Sequence, residues 1–112
     1  MKAVDTKVLV RLLVGDDPAQ HSVVVVLFSS GAIWISKTVL LETAWVLRSA
    51  YAQDDSQIRD GFVALPGLEN VVVEDSSFVT QALSLVGQGM AFADALHLSS
   101  CPPGEACWLC RC

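Results

Sequence analysis

The chain has 112 residues and a mass of 12.0 kDa, the length of a single domain. With 53% hydrophobic and 17% charged residues it is too apolar to be disordered, yet its purest apolar run, Val23 to Phe28, is far short of the ~20 residues a spanning helix needs. A net charge of −5 argues against non-specific coating of nucleic acid, which runs on basic patches, and leaves room for an enzyme that handles phosphates through a metal.

Strand and helix signals alternate along the chain. Lys2 to Asp5 reads as a short strand ending in an acid, followed by a helix through Val8 to Val14 that stops near Gly15. Asp17 followed by Pro18 starts a second helix, with a capping acid and a proline at the first helical position. Four consecutive valines, Val23 to Val26, favour a strand by propensity, but the length and caps of the segment favour helix. Ala32 to Ser36 is the second strand. From Thr38 to Tyr51, Leu40, Leu41, Ala44, Trp45 and Leu47 recur at helical spacing. Asp55 and Ser56 are expected to cap a further helix, ended by Pro66 and Gly67. Asn70 to Glu74 is a third strand, Asp75 caps a helix to about Val86, and Phe92 to Ser99 is helical again. A weak fourth strand is expected at Ala106 to Leu109. Strands separated by helices make βαβ units, hence an α/β fold with a parallel sheet.

All four cysteines, Cys101, Cys107, Cys110 and Cys112, fall in the last twelve residues. A disulfide framework would spread them across the fold, and Asp5 and Arg11 interrupt any export signal, so a cytoplasmic location is expected. Cys107 and Cys110 have the CxxC spacing of a zinc site, but four thiols crowded into one tail point instead to an abrupt change in sequence character.

Of the twelve acidic residues, most sit where solvent or a helix cap explains them. Three do not: Asp5, after Ala3 and Val4 at the end of the first strand; Glu42, in Leu40-Leu41-Glu42-Thr43-Ala44-Trp45; and Asp94, in Phe92-Ala93-Asp94-Ala95-Leu96. Lys7, Lys37 and Arg48 lie near them in sequence. A buried carboxylate costs several kcal/mol unless it is paired or binds a metal. Independent solvation of each acid is the simpler alternative. Sites in open parallel sheets form outside the carboxyl ends of the strands, where Asp5 lies. Converged carboxylates there would need a divalent cation, and all-oxygen ligation suits Mg²⁺ or Mn²⁺ and metal-assisted phosphodiester hydrolysis.

The runs Met1-Lys2-Ala3-Val4-Asp5-Thr6, Val8-Leu9-Val10-Arg11-Leu12-Leu13, Ser36 to Leu47 and Phe92-Ala93-Asp94-Ala95-Leu96-His97-Leu98 resemble PIN-domain ribonucleases, and most nearly the VapC-type toxins of bacterial toxin–antitoxin pairs. The likeness covers about residues 1 to 100. It implies a three-layer α/β/α fold around a parallel sheet, with Asp5 and Asp94 as metal-ligand acids and Glu42 as the catalytic glutamate. It further implies Mg²⁺-dependent (or Mn²⁺-dependent) RNA cleavage by a homodimer that a VapB-type antitoxin inhibits. The chain departs from the family at Lys7, where asparagine is usual, and at Ala91, often an acid. After Ala106 the family continues with a strand ending in Thr-Phe-Asp and a closing helix and strand. Here Arg111 stands about where the fourth acid belongs, as in a truncated or frame-shifted ending, so slow cleavage is expected. The competing class is a binding protein, a PIN-like chain without activity that pairs with itself or with an antitoxin.

Other residues carry weaker signals. His97 lies one helical turn beyond Asp94 and could bind metal or act as a base, though a local hydrogen-bonding role is favoured. Thr6, Ser36 and Thr43 are candidates for orienting water at such a site, or for capping. Trp34, Trp45 and Phe28 are expected in the core rather than as stacking platforms, and the Val23 to Val26 run in the core or in a dimer interface.

Overall fold

A computed structural model of the chain describes residues 2–15, 17–68 and 70–99. The expected fourth strand, the cysteines and Arg111 lie outside the described residues. Within them the element order is β1 (Lys2–Ala3), α1 (Thr6–Val14), α2 (Pro18–Ser29), β2 (Ile33–Ile35), α3 (Lys37–Ala50), α4 (Asp55–Ala64), a 3-10 turn (Leu65–Gly67), β3 (Val71–Val73), α5 (Ser76–Gly87) and α6 (Phe92–Ser99). The α/β expectation holds.

The three strands form a parallel sheet in the order β1-β2-β3. Lys2 pairs with Ile33 and Ala3 with Trp34, while Ile33, Trp34 and Ile35 pair with Val71, Val72 and Val73. Central β2 alternates as the pleat requires: Ile33 and Ile35 are fully buried and Trp34 half-buried. Because all three strands run the same way, their carboxyl ends share one edge, carrying Asp5, Ser36 and Glu74 in turn.

Local chemistry starts each helix. Asp5 accepts from the Val8 N–H at 3.0 Å and caps α1, and Gly15 ends that helix at φ +64°, a left-handed conformation that glycine adopts without cost. Asp17 takes the Ala19 and Gln20 N–H groups and Pro18 opens α2. These caps outweigh the strand propensity of the valines. Val24 and Phe28, four residues apart, are buried in the core and the half-buried Leu27 packs against it, while Val23 and Val26 are 69% and 66% exposed. Ser36 caps α3 through the Val39 N–H, and α3 buries the stripe Leu40, Thr43 and Leu47.

Two expected caps are corrected. α4 is capped by Asp54, in a reciprocal capping box with Gln57, rather than by Asp55 or Ser56; the Asp55 carboxylate pairs instead with Arg48 of α3. Asp75 does occupy the N-cap position of α5, but at φ +46° and without a capping hydrogen bond from its side chain. Its carboxylate goes to Lys37 at 2.8 Å. The core gathers Leu9, Ile33, Ile35, Leu40, Leu47, Ile58 and Phe62, with Phe62 and Phe92 in edge-on contact at 5.0 Å. α1 packs on α2 and α3, α5 on α4 and α6, and α6 also touches α3. No helix among the described residues is long and apolar enough to cross a membrane.

Candidate functional site

The carboxyl edge of the sheet divides into two halves. Beyond β2 and β3, Lys37 gathers both nearby acids: its backbone N–H donates to Glu74 Oε1 at 2.9 Å and its ammonium reaches Asp75 Oδ2 at 2.8 Å. The Glu74 N–H donates in turn to the Ile35 carbonyl at 2.9 Å, extending the ladder to the edge. The hydrogen bond to Asp75, helped by the charges of Asp75 and Glu74, holds the Lys37 ammonium above its ordinary pKa of 10.5 against partial desolvation. This half carries a cation of its own, paired with one of its two acids and close to the other.

Beyond β1 the arrangement differs. Asp5 is exposed, with one carboxylate oxygen engaged in the α1 cap. The next residue, Thr6, donates its hydroxyl to Glu42 Oε2 at 2.8 Å, across 36 residues of sequence. That bond ties the start of α1 to the middle of α3 and brings the Glu42 carboxylate to the end of β1. Neither acid is in an ion pair among the described residues.

Asp94 lies in the first turn of α6, also exposed. α6 packs against α3 where Trp45 and Arg48 line a shallow pocket of about 120 Å³ with Ala91, Phe92 and Ala93, the residues just before Asp94. Among the described residues no three His, Cys, Asp or Glu side chains form a group that could hold a metal ion. The structure therefore joins Thr6 to Glu42 beside Asp5, and does not gather Asp5, Glu42 and Asp94 into one three-carboxylate cluster.

The apolar sequence around these acids suggested buried charges. All three are exposed, because each occupies the polar side of a helix start or helix face whose apolar neighbours turn inward. Asp5, moreover, is explained by capping, as α1 starts directly at the strand end. His97 is exposed near the end of α6. Of the three hydroxyl candidates, Thr6 reaches an acid and Ser36 caps α3. Thr43 is fully buried, with no partner for its hydroxyl among the described residues. Phe28 is buried as expected, but Trp45 is 70% exposed, a correction: it belongs to the outer face of α3 with Glu42, one turn away, and not to the stripe of Leu40 and Leu47. Tyr51 and Arg11 were not singled out in the sequence. The four-residue spacing of Lys7 and Arg11, which puts two cations on one helix face, was the available signal.

A family model for the PIN domain matches residues 2–102. The chain belongs to the PIN-domain family. No curated protein and no solved structure is significantly similar to it. PIN domains are in general nucleases, hydrolases of RNA phosphodiesters that typically use divalent metals. The donors at the β1 end of this PIN domain are carboxylate oxygens in contact with solvent, which is the hard donor type such cations take.

Proposed function

We propose that this PIN domain is a divalent-metal-dependent endoribonuclease that acts as the toxin of a VapC-type toxin–antitoxin pair, in the cytoplasm and as a homodimer. The observation that carries the reading is the Thr6–Glu42 hydrogen bond, which sets a carboxylate with no ion pair among the described residues beside Asp5 at the carboxyl end of β1. Asp5 and Asp94 would hold Mg²⁺ or Mn²⁺, with Glu42 as the third catalytic acid, and the cation would have to draw together acids that form no such group by themselves. When bound, the cation would polarise the phosphodiester and lower the pKa of the attacking water.

The chain's own part is positional. The α1 cap fixes the backbone at Asp5 and engages one carboxylate oxygen, leaving the second without a hydrogen bond among the described residues. Thr6 holds one oxygen of Glu42, so the other is oriented to accept a proton from the attacking water. A VapB-type antitoxin would inhibit by laying an Arg or Lys across these acids, supplying the positive charge that Lys37 supplies at the other half of the edge. The exposed valines of α2 offer apolar surface for a second copy.

The test is cleavage of a single-stranded RNA by the purified chain with Mn²⁺ or Mg²⁺. Cleavage should stop in EDTA, and Glu42→Gln should lower kcat at least about a hundredfold. Metal-independent cleavage, or cleavage indifferent to Glu42→Gln, would overturn the mechanism. Tight binding of an antitoxin without any cleavage would favour the inactive, binding-only alternative.

A further inference from the structure

At the β1 end a groove of about 430 Å³ lies between α1, α2 and α3, within the size range that takes a nucleotide-sized group. It shares Thr6 with the acidic edge, and Lys7, Arg11 and Tyr51 line it further out. Lys7 and Arg11 are one turn apart on α1, with roughly 5–6 Å between their Cβ atoms. Both are exposed, and neither is in an ion pair among the described residues, whereas Lys37, Arg48 and Arg59 are each paired with an acid. The one acid lining the groove among the described residues, Asp17, has Oδ1 committed to the first N–H groups of α2, where the helix end offsets part of its charge. Tyr51, at the end of α3, is 40% exposed and presents an aromatic ring beside Val10 and Val46. In a chain of net charge −5, two uncompensated cations next to an open aromatic ring are complementary to an anion that carries a flat ring.

We propose that this groove binds the single-stranded RNA that runs into the acidic edge, with consecutive phosphates on Lys7 and Arg11 and a base against Tyr51. The inference rests on the nuclease reading above for the direction of the strand, though not for binding itself. A single strand is required because only unstacked bases can lie on an aromatic side chain, and such stacking tolerates any sequence. An acidic polypeptide would satisfy the cations and leave the ring unused. The groove thus assigns a role to Lys7 in holding substrate, two residues beyond Asp5, and not in the chemistry.

Binding of a 5′-fluorescein-labelled single-stranded RNA 12-mer, followed by anisotropy in EDTA, tests this without cleavage. Lys7→Gln and Arg11→Gln should each weaken binding about fivefold at 0.1 M salt and reduce the slope of log K against log salt by about 0.7. Tyr51→Ala should cost about tenfold, with Tyr51→Phe close to the unmodified chain. Lys2→Gln, an exposed cation outside the groove, should change nothing. With Mn²⁺ present, Lys7→Gln and Arg11→Gln should raise KM and leave kcat within about twofold. If the chain binds RNA with these dependences but never cuts it, the nuclease reading falls and the groove stands. If it cuts RNA while both glutamine variants bind normally, the groove is overturned and the nuclease reading stands. No RNA binding in EDTA, or displacement of RNA by polyglutamate at lower concentration than by unlabelled RNA, would also overturn the groove.

Discussion

Asp5 and Asp75 occupy equivalent places: each follows a parallel strand and stands at the N-cap of the next helix, on the same edge of one sheet. Their chemistry is opposite. Asp5 has extended backbone and spends one oxygen on the cap, in no ion pair among the described residues; Asp75 has a left-handed backbone, makes no side-chain cap and gives its carboxylate to Lys37. Glu42 and Glu74 repeat the contrast, the first held by the neutral Thr6 hydroxyl and the second by the Lys37 N–H beside an ammonium. An acid that already has its cation is part of the scaffold. An acid oriented by neutral donors keeps its charge for something that arrives.

The sharpest way to break this comparison is to remove one charge from each half. Asp5→Asn keeps a good capping side chain, so the fold should survive while RNA cleavage in Mn²⁺ falls at least about a hundredfold. Glu74→Gln, which retains a hydrogen-bond acceptor for the Lys37 N–H, should leave kcat within about threefold. Equal losses would mean that the whole edge, and not its β1 half, carries the chemistry.

Stability separates the cap from the charge. Asp5→Ala should lower the free energy of unfolding in urea by about 1 kcal/mol, the usual worth of an N-cap, while Asp5→Asn should be near neutral. If the asparagine variant proved as unstable as the alanine one, the carboxylate charge would be supporting the fold, and its assignment to an incoming cation would be wrong.

The smallest effect expected is at Lys37, whose partners are on the surface. Its folded pKa is raised, so its contribution to stability is whole below the ordinary value of 10.5 and is lost as pH climbs through the higher folded value. Asp75→Asn removes the main cause of that rise and keeps a residue that tolerates the left-handed backbone. The difference in urea midpoint between this variant and the unmodified chain should be constant from pH 7 to about pH 10 and shrink above it. A difference that grows with alkaline pH would have the wrong sign for this ion pair.

Much of the fold was legible because its signals are local. Asp17-Pro18, Ser36 before α3 and Gly15 after α1 act within one turn, and the periodicity of Leu40, Leu47 and their neighbours marks the buried face of α3 without reference to anything else. The candidate acids could also be picked out, since apolar flanks are visible in a string of letters. Their surroundings could not. Whether Asp75 caps a helix or meets a lysine depends on β2 and β3 lying side by side, which brings together residues 38 positions apart. The Thr6–Glu42 bond depends likewise on α1 packing against α3, and the groove at Lys7, Arg11 and Tyr51 exists only once α2 closes its third side. Sequence alone determined where α1, α2 and α3 begin and that Leu40 and Leu47 face inward, while it misplaced the cap of α4 and the side chain of Trp45. Tertiary structure decided which acids would find a cation, because ion pairs and grooves form between elements whose separation along the chain says nothing about their separation in space.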